Sequence, residues 1–186
     1  MQIISPGGPY VLLAALLLIW VSKARAHAVV SPDKMAPNTF AKFVLRVPTE
    51  KEIPTTAVRL LLPENLQLFS IAEKPGWIRQ EDKDSAGRYK SLSWSGAEVR
   101  AGEFVEFEFL ARSPKEPGAL VWKVFQTYKD GSVVSWVGPP GTNEPASVTS
   151  VEMPPPLGAP AWATWLGLGI SCLAALLALA GLFKHA

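Results

Sequence analysis

A single cysteine, Cys172, and two histidines, His27 and His185, are all the thiol and imidazole in the 186-residue chain. One cysteine cannot form an intramolecular disulfide, and it excludes every multi-cysteine zinc or iron–sulfur motif. Charge of one sign is also scarce: 18 basic and 16 acidic groups leave a net charge of +2, with no run of like charge. Such a balance points to neither nucleic acid nor a polybasic membrane surface. Enzyme signatures are missing too. There is no Gly-rich phosphate loop, no G-x-S-x-G elbow and no H-E-x-x-H pair. A serine or cysteine hydrolase needs a histidine base beside its nucleophile, and the glutamates Glu106 and Glu108 read as the solvated face of a strand rather than a catalytic pair. No catalytic residue is assigned.

What the chain has in quantity is apolar sequence, 48% of it, gathered at the two ends. Tyr10 to Val21 is an uncharged run with the length of a signal-peptide core, too short to span a bilayer. No Lys or Arg precedes it; Lys23 and Arg25 follow it instead. Ala24-Arg25-Ala26 has the small-residue spacing that a signal peptidase cuts after, so residues 1–26 are expected to be a cleaved signal peptide. Ala161 to Phe183 carries no charge. As a helix at ~1.5 Å per residue it reaches roughly 34 Å, enough to cross a ~30 Å hydrocarbon core. Trp162 and Trp165 stand at its start and Lys184 follows its end, which predicts a transmembrane helix over 161–183 with residues 184–186 as a cytoplasmic tail. Cys172 then lies within lipid. Met153 to Pro160, with three consecutive prolines, is a stiff extended spacer.

Between these ends, residues 27–152 show no amphipathic helical pattern. They read as short strands rich in Val, Phe, Thr and Trp, punctuated by Pro and Gly. Strands are expected over Phe40–Val47, Ala57–Leu62, Leu66–Ala72, Tyr89–Trp94, Phe104–Ala111, Leu120–Tyr128, Val133–Val137 and Ser147–Val151. In EFVEFEFLA, Val105, Phe107 and Phe109 share one face and Glu106 and Glu108 the other, the period of a half-buried antiparallel strand. Asp130-Gly131 between two such runs signals a hairpin. The fold class implied is all-β, a two-sheet sandwich of immunoglobulin or fibronectin type. Without a disulfide, its core alone must hold it.

The stretch KARAHAVVSP makes His27 the first residue of the mature protein if the cut falls after Ala26. Its free amine and its ring Nδ1 would then chelate one ion in a six-membered ring. Copper(II) heads the affinity order for nitrogen donors and accepts tetragonal N,O geometry. His185 lies across the expected membrane span, and position 29 is Val, so His27 would act without a second histidine. From spacing alone, a solvated chain end is the simpler reading. Met35 and Met153 are isolated thioethers, too few for a Cu(I) site.

The ordered set HAVVSP (27–32), FVLRVPTE (43–50), LLLPENLQL (60–68), EKPGW (73–77), LSWSG (92–96), GEFVEFEF (102–109), QTYKDGSVVSWVG (126–138) and EPASVT (144–149) resembles the YcnI-like family of bacterial surface copper-binding domains. The resemblance covers the whole exposed segment and continues into a Pro-rich linker and a C-terminal membrane helix. It implies an immunoglobulin-like sandwich that binds Cu(II) through a one-histidine brace. Carried over, His27 supplies amine and imidazole, Glu50 the carboxylate ligand, and Trp136 packs beside the metal and shields it from water. It also implies a non-catalytic role in copper acquisition or homeostasis on the outer face of the cytoplasmic membrane, with a CopD-type copper transporter as partner. Read without it, Glu50 belongs to a charged turn and Trp136 to the core. Trp77 is expected to pack a turn. Two other classes remain open at this stage. One is a copper oxidase or polysaccharide oxygenase, with Trp77, Trp94, Trp122 and Trp136 as a sugar face. The other is a metal-free envelope or adhesion module. Intact mass of the processed protein is expected to begin at His27; a start elsewhere removes the amine ligand.

Overall fold

The computed structural model describes residues 27–154. The expected signal peptide, most of the linker, the membrane helix and the tail lie outside the described residues, among which no helix is long and apolar enough to cross a membrane. Among the described residues eleven strands form: β1 (Val29–Ser31), β2 (Lys34–Met35), β3 (Phe40–Pro48), β4 (Thr55–Leu61), β5 (Gln67–Ile71), β6 (Ile78–Lys83), β7 (Tyr89–Val99), β8 (Phe104–Arg112), β9 (Gly118–Tyr128), β10 (Val133–Trp136) and β11 (Ser147–Val151). One sheet runs β1-β3-β8-β5, the other β2-β11-β9-β4-β7-β6, with β10 also pairing β9. All pairs are antiparallel except β2 with β11.

Alternation builds the core. On β8, Val105, Phe107, Phe109 and Ala111 are buried, while Glu106 and Glu108 point outward. There Glu106 pairs with Arg46 at 2.8 Å and Glu108 with Lys42 at 3.3 Å. Such exposed pairs contribute about 0.2–1 kcal/mol each, so the stability resides on the other face. That face is aromatic. Phe107 stacks on Trp94 across the two sheets, centroids 4.2 Å apart, and meets the Trp77 ring edge-on at 5.1 Å. Phe43 stacks on Phe109 at 5.5 Å, and both lean on Trp122. The buried Trp122 indole N–H donates to Thr149 Oγ1 at 3.0 Å, so its one polar atom is satisfied.

Each of the eight expected strands forms, within a few residues of its expected ends; β7 continues to Val99, well past Trp94. Three strands carry no periodic signal. β6 is polar and exposed throughout, an edge strand defined by its bonding to β7. β1 and β2 are only three and two residues long, and tertiary pairing alone makes them strands.

The ends of the sandwich differ. β11 finishes with Val151 opposite Gly118, at the start of β9. The far end of β9, at Tyr128, meets the start of β4. The other sheet ends on the same side, where Pro48 of β3 pairs Phe104 of β8. Replacing Phe107 by Ala should cost about 3–5 kcal/mol through lost burial and an unfilled cavity. Urea unfolding followed by tryptophan fluorescence measures it, and a loss below about 1 kcal/mol would show that the aromatic stack is not the main inter-sheet contact.

Candidate metal centre

The chain order of β1 and β3 brings the first described residue to this end. Val29 pairs Arg46 and Val30 pairs Leu45; continuing that antiparallel register by two positions sets His27 opposite Pro48. Ala28 and Val30 are buried and anchor the segment. The Val30 N–H donates to Ser147 Oγ at 2.9 Å, which ties β1 to the second sheet. His27 itself is half-buried. Its ring packs edge-on against the Trp136 indole, centroids 5.6 Å apart and planes inclined by 64°.

Trp136 arrives from the other sheet. The hairpin that delivers it turns at Asp130-Gly131, as the sequence implies. Asp130 Oδ1 accepts from the Ser132 N–H at 2.9 Å and its hydroxyl at 2.7 Å. Gly131 adopts φ 81°, where a side chain would be strained. These contacts hold Asp130 ionised below the usual carboxylate range, the Ser132 hydroxyl bond foremost. β10 then runs back along β9, from Val133 opposite Thr127 to Trp136 opposite Val124, with Val134 and Trp136 on the inner face.

An open cavity of about 820 Å³ lies at this end. Trp136, Val134 and Tyr128 line it from the second sheet, and Pro48 through Glu52 from the first. Glu50 reaches the cavity because β3 stops just before it. The Thr49 N–H donates to the Glu103 carbonyl at 2.9 Å, and the Thr49 carbonyl accepts the Gly102 N–H at 3.0 Å. Thr49 is thereby fixed and buried, and the next residue emerges exposed at the mouth. A third wall carries Asn143 and Glu144. Its loop is closed by the Gly138 N–H to the Glu144 carbonyl at 2.9 Å and the Ala146 N–H to the Gly138 carbonyl at 2.8 Å. A Cβ on Gly138 would stand 2.5 Å from Thr142 Oγ1, so that position requires glycine.

Of the residues carried over from the resemblance, the structure brings His27 and Trp136 into contact and puts Trp136 and Glu50 on one cavity. His27 does not line that cavity; it joins it through the indole. Among the described residues no group of three His, Cys, Asp or Glu side chains is arranged to hold a metal ion. The cavity wall offers the carboxylates of Glu50, Glu52, Glu103 and Glu144, and the only imidazole among the described residues is that of His27 beside Trp136. An imidazole joined by carboxylate oxygens is a nitrogen and oxygen set of the kind Cu(II) accepts. Trp94, Trp122 and Trp136 are 1%, 0% and 3% exposed, which removes the tryptophan sugar face weighed from the sequence. Trp77 is half-buried on Phe107, a packing residue at its turn.

The sequence reading missed the polar side chains beneath the cavity. Gln126, fully buried, accepts the Trp136 indole N–H at 3.1 Å and donates to the Pro48 carbonyl at 2.8 Å and to Thr55 Oγ1 at 2.7 Å. Thr55 and Thr49 share a further hydroxyl bond of 2.8 Å. The signal was present: in Leu120, Trp122, Val124, Gln126, Tyr128, one inward position is polar.

The family model described as "Domain of unknown function (DUF1775)" matches residues 27–157. A curated relative, "Copper-binding protein CutI" of Bacillus subtilis (strain 168), is 31% identical over 137 residues, spanning 73% of this chain and 67% of that protein. A crystal structure from Nocardia farcinica, described as revealing an immunoglobulin-like fold, superposes with a TM-score of 0.59 at 26% identity; it covers 68% of this chain and 99% of that one. The sandwich is thus of the immunoglobulin-like kind.

Tyr128 ties the cavity to pH. Burial raises its phenol above the ordinary tyrosine value, and the negative charge of Glu50 raises it further. The folded state therefore holds the phenolic proton more tightly than the unfolded state, and stability present below the unfolded value of about 10 is lost as pH rises through the folded one. The melting temperature is expected to drop above about pH 10, with a shallower drop in Tyr128→Phe; identical alkaline limbs in the two proteins would remove Tyr128 as the cause.

Proposed function

Because the chain belongs to the DUF1775 family, the YcnI-like family its motifs resemble, we propose that it is a non-catalytic Cu(II)-binding protein of the extracytoplasmic face, serving copper acquisition or homeostasis. One observation carries the reading. The His27 ring rests on the buried Trp136, and Trp136 walls the cavity that presents Glu50. The family match begins at His27 itself, which supports processing after Ala26. The name of the Bacillus subtilis relative supplies the metal.

In this reading the His27 amine and imidazole chelate the ion and Glu50 adds a carboxylate that lowers the net charge of the complex. Trp136 covers one side of the imidazole, excludes water there and limits exchange of electrons with solvent species. The rest of the chain serves placement: residues 1–26 as a signal peptide, 153–160 as a linker, 161–183 as a single membrane span and 184–186 as a cytoplasmic tail. The partner is a membrane copper transporter of the CopD type, to which the ion is handed or from which it is received.

The experiment is a Cu(II) titration of the domain beginning at His27, repeated with one extra residue before it. The extension blocks the amine and should weaken binding by more than about a hundredfold, roughly 2.7 kcal/mol. Glu50→Gln in the correctly processed domain should weaken it by about tenfold, roughly 1.4 kcal/mol. Equal affinity in the first pair would sink the amine chelate, and no detectable binding by the processed domain would sink the copper reading.

A further inference from the structure

We propose that Gln126 is the positioning residue of this site: its buried amide locks the Trp136 indole in the orientation that meets His27 and ties that indole to the strand end bearing Glu50. The proposal rests on the copper reading for its purpose, though not for its geometry. A purely structural need at this position would be met by Leu or Val, as at Leu120 and Val124 in the same inward row. A fully buried amide costs several kcal/mol of desolvation unless it is bonded. Here both N–H groups and the oxygen are used, on Pro48, Thr55 and Trp136.

The partners fix the direction of the amide. The indole offers a donor only and the Pro48 carbonyl an acceptor only. Flipping the amide would set donor against donor and acceptor against acceptor. The indole N–H therefore has one way to be satisfied, and the ring plane is set with it. Each of the three bonds reaches a different strand: Trp136 on β10, Thr55 on β4 and Pro48 on β3. Pro48 is also the residue that the β1–β3 register sets opposite His27. One side chain thus joins both walls of the cavity and the histidine segment. Thr55 passes the link on to Thr49, the last fixed residue before Glu50.

The first test needs no metal. In the NMR spectrum of the metal-free domain starting at His27, the Trp136 indole Nε1–H should exchange slowly with solvent, and an unprotected indole would overturn the lock. The second uses Cu(II) ion and Gln126→Leu, which keeps the volume and removes the acceptor. Affinity by chelator competition should fall about tenfold, the scale expected when a group orienting the metal environment is lost. In a Trp136→Phe background, which has no N–H to hold, the same change should cost nothing further. A merely structural role would weaken binding equally in both backgrounds, and that result overturns the proposal. If Gln126→Leu does not fold, the indole exchange in the wild-type domain still decides it. If the wild-type domain binds no Cu(II), the copper reading falls while a protected indole leaves the lock standing.

Discussion

Packing of aromatic rings between two sheets is the constraint on which everything else in this domain depends. With no disulfide available, the sheets stay together through Trp94 on Phe107 and through Phe43, Phe109 and Trp122. Stacked and edge-on rings combine a large buried area with a defined geometry. The cavity is built from strand ends, where Pro48, Phe104, Tyr128 and Trp136 finish or begin their strands.

The cavity end is governed by different chemistry. Going toward it along β9, the inward side chains change from Leu120, Trp122 and Val124 to Gln126 and Tyr128. Apolar packing hands over to a hydrogen-bonded set in which every buried polar side-chain atom has a partner. Satisfied networks of this kind give direction where packing gives cohesion. That is what a binding site needs: an indole face at a fixed angle, a carboxylate emerging at a fixed point, and a histidine brought alongside by a short edge strand. Lys51 is taken up by the Tyr128 ring at 4.4 Å and by Ser132 Oγ at 3.0 Å, so a cation next in sequence to Glu50 is held on partners of its own.

Much of the fold was legible because β-strands write themselves as alternation. The runs of β3, β8 and β9 could be read from period two alone, and the β9–β10 hairpin from Asp130-Gly131. β6 was not legible, since IRQEDK has no apolar face; only its bonds to β7 make it a strand. The site was less legible still. His27 stood out through processing chemistry, but Glu50 and Trp136 came from the ordered motifs of a family, since 23 and 109 residues of sequence separate them from His27. Gln126 was visible as an odd polar residue in an apolar row, without any sign of what it holds.

The sequence by itself determined the chemistry on offer: no intramolecular disulfide, two imidazoles, apolar ends, and a chain able to make half-buried strands. Local patterns carry that information because side-chain type and period are properties of neighbouring residues. Only the tertiary structure decided which of these groups meet. The β1–β3 register takes His27 to the level of Pro48, and the β9–β10 hairpin returns Trp136 to the same end. The physical reason is that hydrogen-bonded register and inter-sheet packing act between residues remote in the chain, where no local pattern records them.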